Sequence, residues 1–536
     1  MFQSMRVPMF SCRDSKTSEA LLTKALDNGA RQFAYPQWGA LLNAHMDASM
    51  NAETCLRRGF CQPLGGESVW AARRPLVRPD APDPIVDGNS TDSNSTDRDA
   101  ARQRSKRPIV LLSAAMDSQA LFQDEAVGAR SEMAALVIAL ATLDSLATSN
   151  VSDAVWDAAP RQPLFAFFTG EAWNQMGSKQ FFRDVASFEC KQPDSERAGA
   201  CYEPFVTSRD FQDIALDNIA FMMHLASDLG VGERQEVFWH VGNASDSVLG
   251  ARVRAELALS IDVRSPSPAV TTLPPSALVS ARRHRASLPG VVLGGFDDRF
   301  NARYHSRLDD ARGASTKWLC PTALAVARSF AAALLTNDSS AVAPPRNNSV
   351  LEAIEVNCTL VDALWHCLVE DALCELTRSM LQIRARTDAA EPRPTHYVGV
   401  HSKGNGARGH WAPFINVFAA MRFKQRTGKE CGVDPKIKCA ASEQCIMNAC
   451  VYANVHYHDA LPEGLAFSVA DNEYVVLPTG DIWVESNWDS IGIRLFKRSS
   501  EGASIALLVF GIVLVVGSFA ALVVGKKKAA KTFKLL

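Results

Sequence analysis

Short, wholly apolar runs alternate along the middle of the chain with longer stretches in which apolar residues recur every three or four positions. Ile109–Ala115 (IVLLSAA) and 164–169 are such runs, and 131–146 between them has helical periodicity. A continuous apolar run of this length suits a strand covered on both faces, so the trio reads as a βαβ unit. Further strands are predicted at 218–223, 236–241 and 290–293, with helices at 245–259, 276–285 and 317–336. Alternation of this kind predicts an α/β domain: a mixed, mostly parallel sheet flanked by helices.

The pattern lapses on either side. Residues 80–107 are rich in Pro, Asp, Ser and Arg and read as an exposed loop; after 337 the chain turns to Ala, Pro, Asn and Ser. Beyond that lies a cysteine-containing lobe with a helix predicted at 361–384 and strands at 467–470 and 474–477. The expected organisation is an N-terminal lobe with its exposed loop over 1–107, the α/β domain over 108–337, and the remainder of the body over 338–502. A transmembrane helix over 503–525 and a short tail over 526–536 complete it.

The last two follow from one uncharged segment, ASIALLVFGIVLVVGSFAALVVG. At 1.5 Å per residue it covers a hydrocarbon core of about 30 Å. A buried core helix would keep a polar stripe, and this segment has none. Lys526, Lys527, Lys528 and Lys531 follow it, against Lys497 and Arg498 before it, which orients the tail to the cytosol and the body to the lumen or exterior. A single-pass type I protein of the endoplasmic reticulum, Golgi and plasma membrane is therefore expected.

Sequons at Asn89, Asn94, Asn150, Asn243, Asn337, Asn347 and Asn357 agree with that side, because N-glycosylation occurs in the secretory lumen. The cysteines agree as well. Cys55 with Cys61, Cys190 with Cys201, the trio Cys358, Cys367, Cys374 and the run Cys431, Cys439, Cys445, Cys450 suit short disulfide loops in an oxidising compartment. Spacings within the last run lack the paired C-x2-C knuckles of structural zinc. The opening MFQSMRVPMFSCRDSKTSEALL has no apolar leader, so the natural N-terminus is expected to be missing, with Cys12, the odd one of 13 cysteines, separated from its partner. A net charge of -2 and a pI near 6.6 provide no basic field for nucleic acid.

Candidate chemistry lies where polar residues follow the apolar runs, since ligands gather at the carboxyl ends of strands in open α/β sheets. Those places are Ala115-Met116-Asp117, Gly128-Ala129-Arg130-Ser131, Gly170-Glu171 with Gly177-Ser178, Asp217 to His224, and Tyr304-His305-Ser306. Their order and spacing resemble the zinc aminopeptidase and glutaminyl cyclase superfamily. The resemblance implies a two-zinc site, which this chain departs from. Ala115 stands for the first His, Ser131 for the bridging Asp, Gly170 for the general base and His224 for an Asp. Asp117, Glu171 and His305 match. No metal, no cofactor and no catalytic residue is therefore expected.

Within that superfamily the chain resembles the nicastrin family of inactive relatives. The match rests on Cys61-Gln62-Pro63-Leu64 with Val69-Trp70, Phe167-Phe168-Thr169-Gly170-Glu171, Gly177-Ser178, Pro274 to Leu278, Tyr304-His305-Ser306 and Glu485-Ser486-Asn487-Trp488. It implies a non-catalytic glycoprotein subunit of the γ-secretase complex. Its partners would be a presenilin-type aspartyl protease and two smaller membrane subunits, and its substrates stubs of type I membrane proteins. Substrate contact would fall on Glu171, Gly177 and Ser178. Asn174-Gln175-Met176 replace the family's Asp-Tyr-Ile, so those side chains do not inherit the role. A membrane-anchored zinc aminopeptidase or glutaminyl cyclase, and a stand-alone receptor on the same fold, are the alternatives.

Overall fold

The computed structural model describes residues 15–30, 36–43, 51–76, 107–190, 192–193, 201–203, 205–206, 209–242, 247–336, 349–382, 393–401, 411–431, 439, 443–446, 448–468, 473–486, 492–498 and 501–532. The chain divides into a unit of residues 52–485 and a smaller one made of 1–51 with 486–536.

The larger unit is built on an eleven-stranded sheet. From edge to edge it runs Asp262–Arg264, Glu236–His240, Gly290–Gly294, Ile219–Leu225, Ile109–Ala115, Gln162–Phe168, Gly66–Ala72, Val455–Ala460, Phe205–Val206, Cys201–Glu203 and Gln192–Pro193. Ile109–Ala115 pairs in parallel with both Gln162–Phe168 and Ile219–Leu225, and Ile219–Leu225 in parallel with Gly290–Gly294. Antiparallel pairing then extends the sheet on both sides. The sheet reaches outside 108–337: Gly66–Ala72 and Val455–Ala460, far apart in sequence, pair with each other over six residues.

Every residue of Ile109–Ala115 and Gln162–Phe168 is buried. Alternate side chains feed opposite faces. Val110, Leu112, Ala114, Phe165 and Phe167 join the core under the helices Ala134–Thr148, Leu319–Leu335 and Trp411–Phe423, while Ile109, Leu111, Leu164 and Phe168 join the core with Phe181, Phe182 and Leu278. The helix expected at 131–146 is Ala134–Thr148, preceded by a π turn over Ala129–Met133.

The helix expected over 361–384 is broken. Cys358–Trp365 ends in a π turn over His366–Glu370, Asp371 is extended, and a new helix starts at Glu375 with the Cys374 sulfur accepting the Thr377 N–H at 3.3 Å. The Cys367–Cys374 disulfide ties the break. Five further disulfides join Cys55–Cys61, Cys190–Cys201, Cys320–Cys358, Cys431–Cys445 and Cys439–Cys450. Cys12 lies outside the described residues.

The smaller unit contains a helix Ser15–Gly29, an antiparallel pair Trp38–Asn43 with Gly492–Lys497, and a 32-residue helix Glu501–Thr532. Gly502–Ala530 has mean hydropathy 2.9 and none of it is buried, as fits a single membrane span. Two other segments, Ala129–Thr148 and Thr316–Leu335, are also long and apolar enough to cross, but 89% and 67% of them is buried in the body.

Candidate functional site

The carboxyl ends of the parallel strands open into a cleft of about 60 Å³ lined by Ser131, Glu132, Glu171, His224, Tyr304 and His305, among others. One wall follows from the first two strands. Ile109–Ala115 leads to Asp117, whose carboxylate oxygens accept the backbone N–H groups of Glu171 at 2.8 Å and Ala172 at 3.2 Å. Asp117 is buried, and burial pushes its carboxyl up to about 7. It holds the turn behind the cleft.

After Gln162–Phe168 the chain turns sharply, with Gly170, Asn174 and Gln175 all at positive φ. A Cβ at 170 would lie 2.4 Å from Met176 Cε, so glycine is what this turn accommodates. The turn brings Glu171 back onto the helix Met176–Ala186, where its carboxylate accepts from Ser178 N at 2.8 Å and Ser178 Oγ at 3.0 Å. A helix start carries orphan N–H groups and a partial positive charge, so Glu171 acts as a cap. Burial nonetheless pushes its carboxyl up to about 8, against the Ser178 N–H, which works the other way. Gly177 lets the helix sit on the strand end, since a Cβ there would fall 2.2 Å from Thr169 O. Asn174 hydrogen-bonds Asp481, and Met176 is buried.

The opposite wall comes from the π turn. Gly128 is left-handed at φ 66. Asp309 accepts the backbone N–H of Arg130 at 2.8 Å and of Ser131 at 3.0 Å, as well as the Ser131 hydroxyl. Arg130 Nε reaches Asp228 Oδ1 at 2.6 Å. Glu132 Oε1 stands 2.8 Å from His305 Nε2. Burial lowers the basicity of His305, but Glu132, Asp117 and Asp309 outweigh it and hold the imidazole above its ordinary value. Tyr304 stacks between Phe300 at 4.1 Å and His305 at 3.9 Å.

His224 is buried with Nδ1 3.0 Å from Ser113 Oγ, and burial pushes it down to about 3, so it is a neutral imidazole at physiological pH. Glu171, His224 and His305 thus line one cleft, with Ser178 and Gly177 behind Glu171.

Ser131, the hydroxyl expected at the superfamily's bridging-carboxylate position, does line the cleft, and a carboxyl group stands one residue on. The π turn inserts an extra residue, a feature often found at functional sites, and Glu132 faces the cleft beside Ser131. Asp309 was also missed, although its acidic pair Asp309-Asp310 follows Tyr304-His305-Ser306 by only a few residues. The carboxyl groups of Glu132 and Glu171 therefore line the cleft, while Asp117 and Asp309 are buried behind its walls on backbone N–H groups.

Among the sequons, Asn150 and Asn357 are exposed, and Asn357 Oδ1 caps the Cys358–Trp365 helix by accepting Leu360 N at 3.2 Å. Asn89, Asn94, Asn243, Asn337 and Asn347 lie outside the described residues.

The body is thus an α/β protein of the kind whose cleft lies at the carboxyl ends of its parallel strands. Residues 108–338 match the nicastrin large lobe. Over its whole length the chain is similar to nicastrins. It is 26% identical to the nicastrin of Dictyostelium discoideum over 100% of this chain and 77% of that one, and 24% identical to that of Arabidopsis thaliana over 100% and 76%. Human nicastrin is 22% identical over 96% and 72%. The crystal structure of the gamma-secretase component nicastrin superposes with a TM-score of 0.68 at 23% identity, covering 90% of this chain and 77% of that one, which establishes a shared fold.

Proposed function

We propose that this chain is a non-catalytic subunit of an intramembrane aspartyl protease complex of the γ-secretase type, with its body on the lumenal side. There it recognises substrates by excluding long ectodomains through bulk and admitting short stubs, and its span contributes to assembly. The partners in this reading are a presenilin-type protease and two smaller membrane subunits.

The observation that carries the non-catalytic part is the condition of Glu171. Its carboxyl group is occupied as a helix cap by Ser178, and the general-base position beside it is Gly170, whose φ of 75 strains any side chain. A metal-bound water still needs a proton acceptor. Both oxygens of Asp117 are held by backbone N–H groups, and Ser113 takes His224 Nδ1. Among the described residues, the sets of three ligand-type atoms within 4.8 Å of one another are Cys431/Cys439/Cys445 and Cys439/Glu443/Cys450, whose cysteines are all in disulfides. The cleft residues do not fit a two-zinc centre, and no hydrolytic step is derived from them.

The test is to tag the C-terminal tail, solubilise membranes in a mild detergent and identify what co-purifies. A presenilin-type protease in near-stoichiometric amount supports the reading. A clean monomer or homodimer overturns it, and zinc content and aminopeptidase activity of the body would then be assayed.

A further inference from the structure

The pair of strands next to the span exposes large apolar side chains on one face. Trp38 lies opposite Lys497, Gly39 opposite Phe496, Ala40 opposite Leu495 and Leu41 opposite Arg494. Residues directly opposite in an antiparallel pair share a face, so Phe496, Leu41 and Arg494 lie together, and Trp38, Leu495 and Lys497 lie on the other side. Leu41 is 56% exposed and Phe496 47%. Phe496 lies across Gly39, where a Cβ would fall 2.6 Å from its ring.

The helix Ser15–Gly29 engages the Trp38 side. Lys24 Nζ sits 4.2 Å from the Trp38 ring, and Asn28 exchanges hydrogen bonds with the Trp38 backbone at 2.8 and 3.0 Å. On the other side Leu41 and Phe496 stay about half exposed among the described residues. A two-stranded ribbon standing alone in water is marginal at best.

Chain continuity says where that face is. Lys497 precedes Glu501, the first residue of the 32-residue helix, by four positions, so the strand end lies within about 14 Å of the helix start. Phe496 and Leu41 share that face with Arg494, and Lys497 and Arg498 follow at the strand end. Aromatic and aliphatic side chains interleaved with Lys and Arg are the composition that sits at the boundary between headgroups and acyl chains.

We propose that the Trp38–Asn43/Gly492–Lys497 ribbon lies on the bilayer that the adjoining helix crosses, its Phe496 and Leu41 face entering the headgroup–acyl boundary and its basic residues meeting lipid phosphates. The span is then not a simple tether. The ribbon fixes how the chain enters the membrane.

The experiment places a nitroxide at Leu41→Cys, and separately at Phe496→Cys, in the full chain with Cys12→Ser, reconstituted in phosphatidylcholine nanodiscs. Leu495→Cys reports the opposite face and Leu259→Cys, 69% exposed on the body, serves as the aqueous reference. Collision rates with oxygen and with a water-soluble nickel chelate report depth. The expected result is a several-fold rise in the oxygen-to-nickel ratio at 41 and 496 over 259, with a smaller rise at 495. Aqueous values at both 41 and 496 overturn the proposal. So does the absence of spin–spin broadening at both sites by a doxyl-labelled lipid in the nanodisc, which would mean that protein covers the face. Using two separate labelled sites keeps the test decisive if one variant fails to accumulate.

Discussion

Glu132 and His305 face each other across the cleft at 2.8 Å, one donated by a π turn and the other by a loop some 170 residues later. Burial raises the Glu132 carboxyl, His305 lowers it, and the net direction is upward. His305 is likewise held above its ordinary value by Glu132 against burial. Both groups therefore bind protons more readily in the folded than in the unfolded state, and the stability they contribute is lost as pH rises through their folded values. In Glu132→Gln the urea midpoint should fall less between pH 5 and pH 8 than in the wild type. A parallel decline in both proteins would contradict this account.

Glu171 predicts a second pH dependence in the same direction. Its carboxyl moves from 4.5 to about 8 through burial. Its contribution is fully present below 4.5 and is lost as pH rises to about 8. Glu171→Gln imitates the protonated acid, so it should flatten the decline of thermal midpoint over that window. Scanning calorimetry at several pH values between 4.5 and 8.5 tests it, and an unchanged slope would remove Glu171 as its source.

Gly177→Ala should destabilise the body by roughly 2 kcal/mol or more, because the obstructing atom is backbone, Thr169 O at 2.2 Å, and overpacking of this kind typically costs 1–3 kcal/mol. Chemical denaturation measures it.

Asn357 combines two roles that substitutions can separate. Thr359→Ala removes the sequon and leaves the cap on Leu360 N; Asn357→Gln removes both. We expect each to lose one glycan, read as a mobility shift that endoglycosidase treatment abolishes, and only Asn357→Gln to lose about a further 1 kcal/mol from the uncapped helix. Equal stability of the two variants would count against the cap.

The Cys320–Cys358 disulfide joins residues 38 apart. Closing a loop of that length restricts the unfolded chain by about 4 kcal/mol in the entropy treatment. Replacing both cysteines with alanine should lower stability by that order, read by urea denaturation.

The central strands were legible because burial on both faces leaves little choice of residue: Ile109–Ala115 and Glu236–His240 fall within a residue of expectation. The short pairs Cys55–Cys61 and Cys190–Cys201 were legible for a different reason, since local spacing brings them together. Cys320 with Cys358 was not, because the helix Leu319–Leu335 and a long connection separate them. Gly66–Ala72 and Val455–Ala460 were missed because their partner strands come from nearly 400 residues apart, a relation that local periodicity does not record.

By itself the sequence determined the α/β alternation, the apolar helix at 503–525, the cysteine-rich body and the resemblance to nicastrins, each set by residue type at short range. Only the tertiary structure decided which strands complete the sheet, because the pairing of Gly66–Ala72 with Val455–Ala460 leaves no trace in local periodicity. The tertiary structure also decided which carboxyl groups gather around the cleft. A one-residue π insertion turns Glu132 inward and a distant loop supplies Asp309, and side-chain direction at a turn depends on backbone geometry that composition does not encode.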